Sequence, residues 1–195
     1  PTIPGELAES IGKYVARIIE DGDTLQVGYG SIPNAVLANL EGKRHLGIHT
    51  ELLSDGIVDL MEKGVIDNNR KSMDRGKTVA TMCMGKRSTY RYLDNNPAFE
   101  FRPIDYTNNP LVIAGHRNMT AINSALAVDL TGQATAESIG NMFYSGVGGQ
   151  ADFIRGAALS HRGKPIICLP STTKDGQHSR IVPCLSEGSG VVTTR

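Results

Sequence analysis

The spacing of apolar and polar residues changes from one segment to the next along the first third of the chain, and these segments predict alternating helices and strands. Apolar residues recur every three or four positions over residues 4–20, which predicts an amphipathic helix. Its apolar face would consist of Leu7, Ile11, Val15 and Ile18. Gly22, within Asp21-Gly22-Asp23, supplies the expected stop. The next elements are predicted strands at Thr24–Gly28 and Arg44–Thr50, and predicted helices at Ile32–Leu40 and Leu52–Lys63.

The rest of the chain continues the alternation less regularly. Strands are expected at Lys77–Met84, Lys164–Leu169 and Ile181–Leu185, and helices at Lys86–Leu93 and Ala151–Ser160. The segment Asn118–Gln133 suits a helix or a strand, and we favour a strand. Strands that alternate with helices predict an α/β fold, a mostly parallel sheet with covering helices. We see no internal repeat or linker, so one domain over 1–195 is expected.

Composition and charge exclude several classes of function. The 195 residues include 20 Lys plus Arg and 20 Asp plus Glu, so no global field would gather nucleic acid or an anionic membrane. No apolar run could span a bilayer, and residues 1–9 lack the pattern of a signal peptide. Three widely spaced cysteines fit neither a disulfide framework nor a zinc site, and a cytoplasmic location is the expectation.

The histidines and a short basic stretch give weaker signals. His116, His161 and His178 have no metal spacing, and we predict no metal site. His45 and His49 share one face of a predicted strand but lie too far apart to share an ion easily. Lys71, Arg75 and Lys77 fit a solvated charged stretch better than a contact with a phosphate.

The first candidate motif is the turn Gly28-Tyr29-Gly30, between a predicted strand and a predicted helix. Glycines let a ligand approach the backbone, and the helix N-terminus offers free N–H groups to a phosphate or an oxyanion. A tight turn that only packs the helix explains the pattern equally well. A dinucleotide-binding fold is the alternative, with Glu51 near the ribose-binding position, but Pro33 replaces the third glycine of that motif.

The second candidate is Glu51, placed where a predicted strand ends and a helix is about to start. Ligands of open α/β sheets bind beyond the carboxyl ends of strands, and a carboxylate there can attack an activated carbonyl. The plainer interpretation is an acid that stabilises the start of the Leu52–Lys63 helix, and geometry alone favours it. His49, two residues earlier, either orients Glu51 or lies in the wall of the site.

The third candidate is the glycine-rich loop Ser145–Gln150, just before a predicted helix. Three glycines in four positions, Gly146, Gly148 and Gly149, cost backbone entropy on folding, which suggests that they serve a ligand. Their N–H groups would suit an anionic or carbonyl-bearing group. A mobile connection is the alternative. Because loops at the carboxyl edge of a parallel sheet face a common crevice, we expect this loop to lie close to Glu51.

Taken together, these segments resemble the acetyl-CoA hydrolase/transferase family, and within it 4-hydroxybutyrate and butyrate:acetate CoA-transferases. The matching stretches follow the family's order across nearly the whole chain. They are Leu25–Val36, Gly47–Glu51, Gly56–Leu60, Gly148–Phe153 and Val191–Arg195.

The resemblance implies a fold, a reaction and a set of partners. The fold would be that of the NagB/RpiA/CoA transferase-like domains, and Glu51 would carry an acyl group and then coenzyme A as a glutamyl thioester. Contacts with the coenzyme or the oxyanions are implied for Gly28, Gly30, Gly146, Gly148, Gly149 and Gln150. The substrates would be an acyl-CoA and a short carboxylic acid, with no permanently bound cofactor; an acyl-CoA hydrolase is the alternative. The resemblance also implies a homo-oligomer and an additional N-terminal domain, so that this chain would be a C-terminal fragment, inactive alone.

Overall fold

The computed structural model describes residues 5–193 and consists of a central sheet covered by helices. The helices are α1 (Glu6–Ile18), α2 (Ser31–Ala38), α3 (Asp55–Glu62), α4 (Arg87–Leu93), α5 (Ile104–Thr107), α6 (Pro110–Gly115) and α7 (Gln150–Leu159). The strands of the main sheet are β1 (Thr24–Val27), β2 (Gly47–Ser54), β3 (Thr78–Met84), β4 (Phe99–Phe101), β5 (Met119–Ser124) and β10 (Lys164–Cys168). The short strands are β6 (Ala127–Asp129), β7 (Ala134–Thr135), β8 (Ser138–Ile139), β9 (Met142–Phe143) and β11 (Ile181–Val182).

The main sheet has six strands in the order β10-β5-β1-β2-β3-β4, and every neighbouring pair is parallel. This confirms the predicted α/β class with a mostly parallel sheet. Parallel strands need crossover connections, and α-helices supply most of them here. The carboxyl ends of β1, β2 and β3 therefore meet at one edge of the sheet, which is where ligands bind in such folds.

Two apolar clusters fill the space between the sheet and its helices. The larger cluster joins α1, α2 and α3 to the sheet and includes Leu25, Val36, Ile48 and Ile57. The smaller one packs α6 and α7 against β5 through Ile113, Met119 and Phe153. The sheet is thus covered on both faces, as expected for parallel strands. Within residues 5–193, no helix is long and apolar enough to cross a membrane.

Helix α1 is present as predicted, but its buried face is only partly the predicted one. Val15 is buried and Ile11 packs against the core, as expected. Leu7 and Ile18 are exposed, whereas Gly12 is buried against α2. A Cβ placed on Gly12 would come within 2.7 Å of the backbone of Ala35, so the two helices approach closely only because both carry small residues there. Close packing of small residues, rather than the most apolar stripe, decides the face.

Strand β2 corrects the predicted position of Glu51. It continues to Ser54, because Leu52 and Leu53 pair with Met82 and Cys83 of β3. Helix α3 starts only at Asp55, so Glu51 lies inside the strand and not at its end. It therefore cannot be the acid that stabilises the start of α3.

The remaining boundaries differ by small amounts. The favoured strand at Asn118–Gln133 is confirmed as two strands, β5 and β6. His45 lies outside any strand, with a φ of 58°, so its predicted position on one strand face with His49 was wrong. The sequence did not reveal β4, α5 or α6, which are short.

Candidate active site

Glu51 is held by an amide from a distant segment. Its side chain is half-buried, and its Oε2 accepts a hydrogen bond of 2.7 Å from Nδ2 of Asn108. Asn108 follows the last residue of α5 as its C-cap, and α5 packs on β2 and β3. The carboxylate is therefore fixed in orientation but remains partly open to a reactant.

The glycine-rich loop meets Glu51 at Gly149. A Cβ built on Gly149 would lie 2.2 Å from Oε2 of Glu51 and 2.3 Å from Nδ2 of Asn108, so any larger residue there would displace these two groups. Gly149 is the N-cap of α7, and the first N–H groups of a helix have no partner within it. The predicted proximity of Glu51 and this loop is confirmed, and the carboxylate lies at the positive end of a helix.

Two further groups at the start of α7 contribute to this environment. Burial and the Glu51 carboxylate raise the pKa of Asp152, an effect that Arg155 partly offsets. Nε2 of Gln150 is buried and has no hydrogen-bond partner within residues 5–193. A buried amide without a partner costs free energy, so this group is available to a ligand.

The other predicted glycines are placed differently. The N–H of Gly28 donates to the carbonyl of Ile122, so it is not available to an oxyanion. Gly30 adopts a φ of 136°, which glycine tolerates best, and it is the N-cap of α2. No heavy atom of the described chain lies within 4 Å of a Cβ built on Gly146 or Gly148. Of the predicted glycines, Gly149 is thus the one that directly abuts Glu51.

Asn108 is the residue that sequence reasoning missed. The segment Asn108-Asn109-Pro110 suggested only a turn, and the structure gives the two asparagines different roles. Asn109 caps α6 by accepting from the N–H of Leu111, with Pro110 in the first helical turn. Asn108 instead points to the carboxylate. An asparagine beside the one that caps α6 was the available signal, but the partner of its side chain could not be inferred from spacing.

A buried histidine pair lies beneath this cluster. Burial lowers the pKa of His49 to about 4 and that of His116 to about 2, so both imidazoles are neutral near pH 7. Their ring centroids are 4.5 Å apart. Nε2 of His49 lies 2.9 Å from the carbonyl oxygen of Thr107, the residue before Asn108. His49 is therefore fully buried, and its ring has one specific polar contact.

The same histidines approach a carboxylate. One ligand atom each from His49, Asp74 and His116 lies within 4.8 Å of the others. Lys71 opposes a divalent ion there, because its positive charge lowers the pKa of both histidines. Its side chain is buried and donates to the carbonyls of Ile48 and Lys77, so its assignment to a solvated stretch was wrong. The absence of a metal stays a prediction.

A separate groove of about 910 Å³ lies at the same edge of the sheet. It is lined by Tyr29 from the turn after β1, by Ser54 at the end of β2 and by Lys86 at the start of α4, among others. Glu51, Asn108 and Gly149 are not part of its lining. The groove is therefore separate from the cluster formed by those three residues.

Comparison with known proteins agrees with the geometry. Residues 85–195, more than half of the chain, match the family model of the acetyl-CoA hydrolase/transferase C-terminal domain. The chain belongs to the acetyl-CoA hydrolase/transferase family. Membership of this family leaves no role for the dinucleotide-binding alternative.

Individual members of the acetyl-CoA hydrolase/transferase family cover almost the whole chain. A 4-hydroxybutyrate coenzyme A transferase of Clostridium kluyveri is 51% identical over 98% of this chain and 44% of its own length. An acetyl-CoA hydrolase of Saccharomyces cerevisiae is 31% identical over 94% of this chain and 35% of its own length. The chain thus spans less than half the length of these relatives.

A solved structure of the family has the same fold. The 4-hydroxybutyrate CoA-transferase of Porphyromonas gingivalis superposes with a TM-score of 0.85 at 42% identity, covering 100% of this chain and 49% of that one. The fold and the family are therefore shown by both sequence and structure. The roles of individual residues rest on the geometry described above.

Proposed function

We propose that this chain is the C-terminal part of a CoA-transferase that moves coenzyme A between an acyl-CoA and a short carboxylic acid through Glu51. The observation that carries the proposal is the position of the Glu51 carboxylate, between the Asn108 amide and the N-terminus of α7. Because residue 149 is a glycine, the first turn of α7 comes close to the carboxylate without displacing it.

The reaction begins with attack of a Glu51 oxygen on the thioester carbonyl carbon. The tetrahedral intermediate collapses with cleavage of the C–S bond, which gives an acyl-glutamyl anhydride and the CoA thiolate. The thiolate then attacks the Glu51 carbonyl, forms the glutamyl-CoA thioester and releases the first acid as a carboxylate. A second carboxylate takes the coenzyme by the reverse steps, so that no oxidant or reductant is needed.

The neighbours of Glu51 suit the charges that develop in these steps. In the resting state, Nδ2 of Asn108 donates to the carboxylate. When Glu51 becomes acylated, the same amide and the free N–H groups at the start of α7 can donate to a tetrahedral oxyanion, since the amide already donates to Glu51 and the N-cap of α7 adjoins it. The Gly28 N–H is excluded from this role because Ile122 accepts from it.

Acyl-CoA hydrolysis is a second candidate. It is favoured by the likeness to the yeast protein named an acetyl-CoA hydrolase, 31% identical to this chain. The same glutamyl thioester would then be attacked by water instead of a carboxylate. Product analysis with and without an acceptor acid separates the two activities.

The test of the proposal uses the full-length protein of which this chain is a part. Incubation with an acyl-CoA should add coenzyme A covalently, and peptide mass spectrometry should locate it on Glu51. Glu51→Gln should lose the adduct and lower kcat by several orders of magnitude, as the loss of a covalent nucleophile does. Glu62→Gln, a change at an exposed glutamate of α3, is the matched control and should leave both unchanged. An active Glu51→Gln protein would refute the proposal.

A further inference from the structure

The proposed reaction does not use His49, yet His49 is connected to it by two hydrogen bonds. Its ring is fully buried, and Nε2 lies 2.9 Å from the carbonyl oxygen of Thr107. A carbonyl oxygen only accepts hydrogen bonds, so in a neutral imidazole the proton must be on Nε2. Nδ1 has no hydrogen-bond partner in the described part of the chain.

The accepting carbonyl belongs to the peptide unit that joins Thr107 to Asn108. This planar unit is held at both ends, because the Asn108 N–H donates to the carbonyl of Ile104 at 2.9 Å. His49 therefore fixes the plane from which the Cα of Asn108 projects. Without the His49 bond, the carbonyl of this unit would have no side-chain partner, and the unit would be held by the single turn of α5 and by the hydrogen bond between the hydroxyls of Thr107 and Thr81.

The side chain of Asn108 is oriented by the same segment. The Thr107 hydroxyl lies 3.1 Å from Oδ1 of Asn108, and this contact leaves Nδ2 to face the carboxylate of Glu51. The carboxylate accepts only, which requires the NH₂ group on that side. A continuous set of contacts thus runs from His49 through Thr107 and Asn108 to Glu51.

We propose that His49 is a positioning residue for the Glu51 reaction: its neutral imidazole holds the Thr107–Asn108 peptide so that the Asn108 amide faces Glu51. The inference rests on the proposed function, and it assigns no contact between His49 and the substrate. Burial keeps the imidazole uncharged, since it lowers the pKa of His49 to about 4.

His116 offers a matched control. It is as buried as His49, and the two rings are in contact, with centroids 4.5 Å apart. Neither ring nitrogen of His116 has a hydrogen-bond partner among residues 5–193. Replacing His116 by leucine therefore removes a similar ring from the same layer but leaves the bond to Thr107 intact.

The experiment compares full-length variants by kcat, by KM for the acyl-CoA and by thermal unfolding. His49→Leu removes the donor and should lower kcat by about 10- to 100-fold, since a displacement of about 1 Å can cost that much, with KM changed little. His49→Gln should recover most of the activity, because its terminal amide can donate to the Thr107 carbonyl. His116→Leu should keep kcat within about threefold of the wild type, because it leaves the positioning contact in place.

A double-mutant cycle tests whether His49 affects kcat through Asn108. If His49 acts through Asn108, adding His49→Leu to Asn108→Ala should lower kcat no further. Additive losses, or equal losses in His49→Leu and His116→Leu, would overturn the inference. If the His49→Leu protein does not fold, His49→Asn is used in its place. The asparagine side chain is too short to reach the Thr107 carbonyl. A His49→Asn protein as active as the His49→Gln protein would also overturn the inference. The proposed function is tested separately. If the wild-type protein forms the CoA adduct and the Glu51→Gln protein is inactive, the proposed function stands even where the role of His49 is refuted.

Discussion

Gly149→Ala provides the sharpest test of the site, because the structure specifies what the added methyl group meets. The Cβ would lie 2.2 Å from Oε2 of Glu51 and 2.3 Å from Nδ2 of Asn108. Non-bonded carbon and oxygen atoms rarely approach within about 3.2 Å, so the carboxylate or the amide must move by about 1 Å. A displacement of that size at reacting groups costs about a hundredfold in rate, and we expect kcat to fall by that order.

The backbone should tolerate this substitution. Gly149 has φ −74° and ψ 0°, which alanine can adopt, so the loss should come from the clash and not from backbone strain. Alanine is a poorer N-cap than glycine, and a decrease of about 0.5–1 kcal/mol in the free energy of unfolding is expected. The Gly149→Ala substitution should therefore lower kcat strongly and the free energy of unfolding only slightly.

Gly148→Ala is the control for this measurement. It lies in the same loop, but no described heavy atom is within 4 Å of its added Cβ. We expect kcat within about twofold of the wild type, because no reacting group is displaced. Steady-state assays of the three full-length proteins, with thermal unfolding of each, decide the matter. Equal activity of Gly149→Ala and the wild type, or an equal loss in Gly148→Ala, would show that the contact with Glu51 is not part of catalysis.

Three further outcomes are expected elsewhere in the chain. Asn109→Ala should lower the free energy of unfolding by about 1 kcal/mol through loss of the α6 cap, with little change in kcat; denaturant titration and assay measure both. At pH 8 a thiol reagent should modify exposed Cys184 rapidly but leave Cys168 unmodified until unfolding, because burial raises the pKa of that thiol to about 11. Gly12→Ala should destabilise the fold by about 1–3 kcal/mol, since its Cβ would lie 2.7 Å from the backbone of Ala35.

The order of strands and helices could be predicted because local signals agreed with the final packing. Gly22 has a φ of 86°, a conformation that favours glycine, and it lies in the turn after α1, where the sequence suggested a stop. Apolar runs such as Lys164–Cys168 became strands of the parallel sheet. In these segments, propensity, periodicity and tertiary contacts favour the same structure.

The end of β2 could not be predicted, because the deciding contacts are not local. Leu52 and Leu53 suit the apolar face of a helix as well as a buried strand. Pairing with Met82 and Cys83, 30 residues later, selects the strand. The same limitation explains why one end of the buried face of α1 was predicted at Leu7, which is exposed, and why the buried Gly12 was left out.

Sheet topology alone predicts some features of the candidate site but not others. The carboxyl edge of a parallel sheet was enough to place the glycine loop near Glu51, although Glu51 and Gly149 are far apart in sequence, because strand order constrains the loops that meet there. It was not enough to find Asn108, since that residue is presented by a four-residue helix with no periodic signal. The sequence therefore predicts which edge of the sheet is used and which carboxylate is available there. The direction of that carboxylate depends on the contacts of a short helix, and those contacts become visible only in the folded chain.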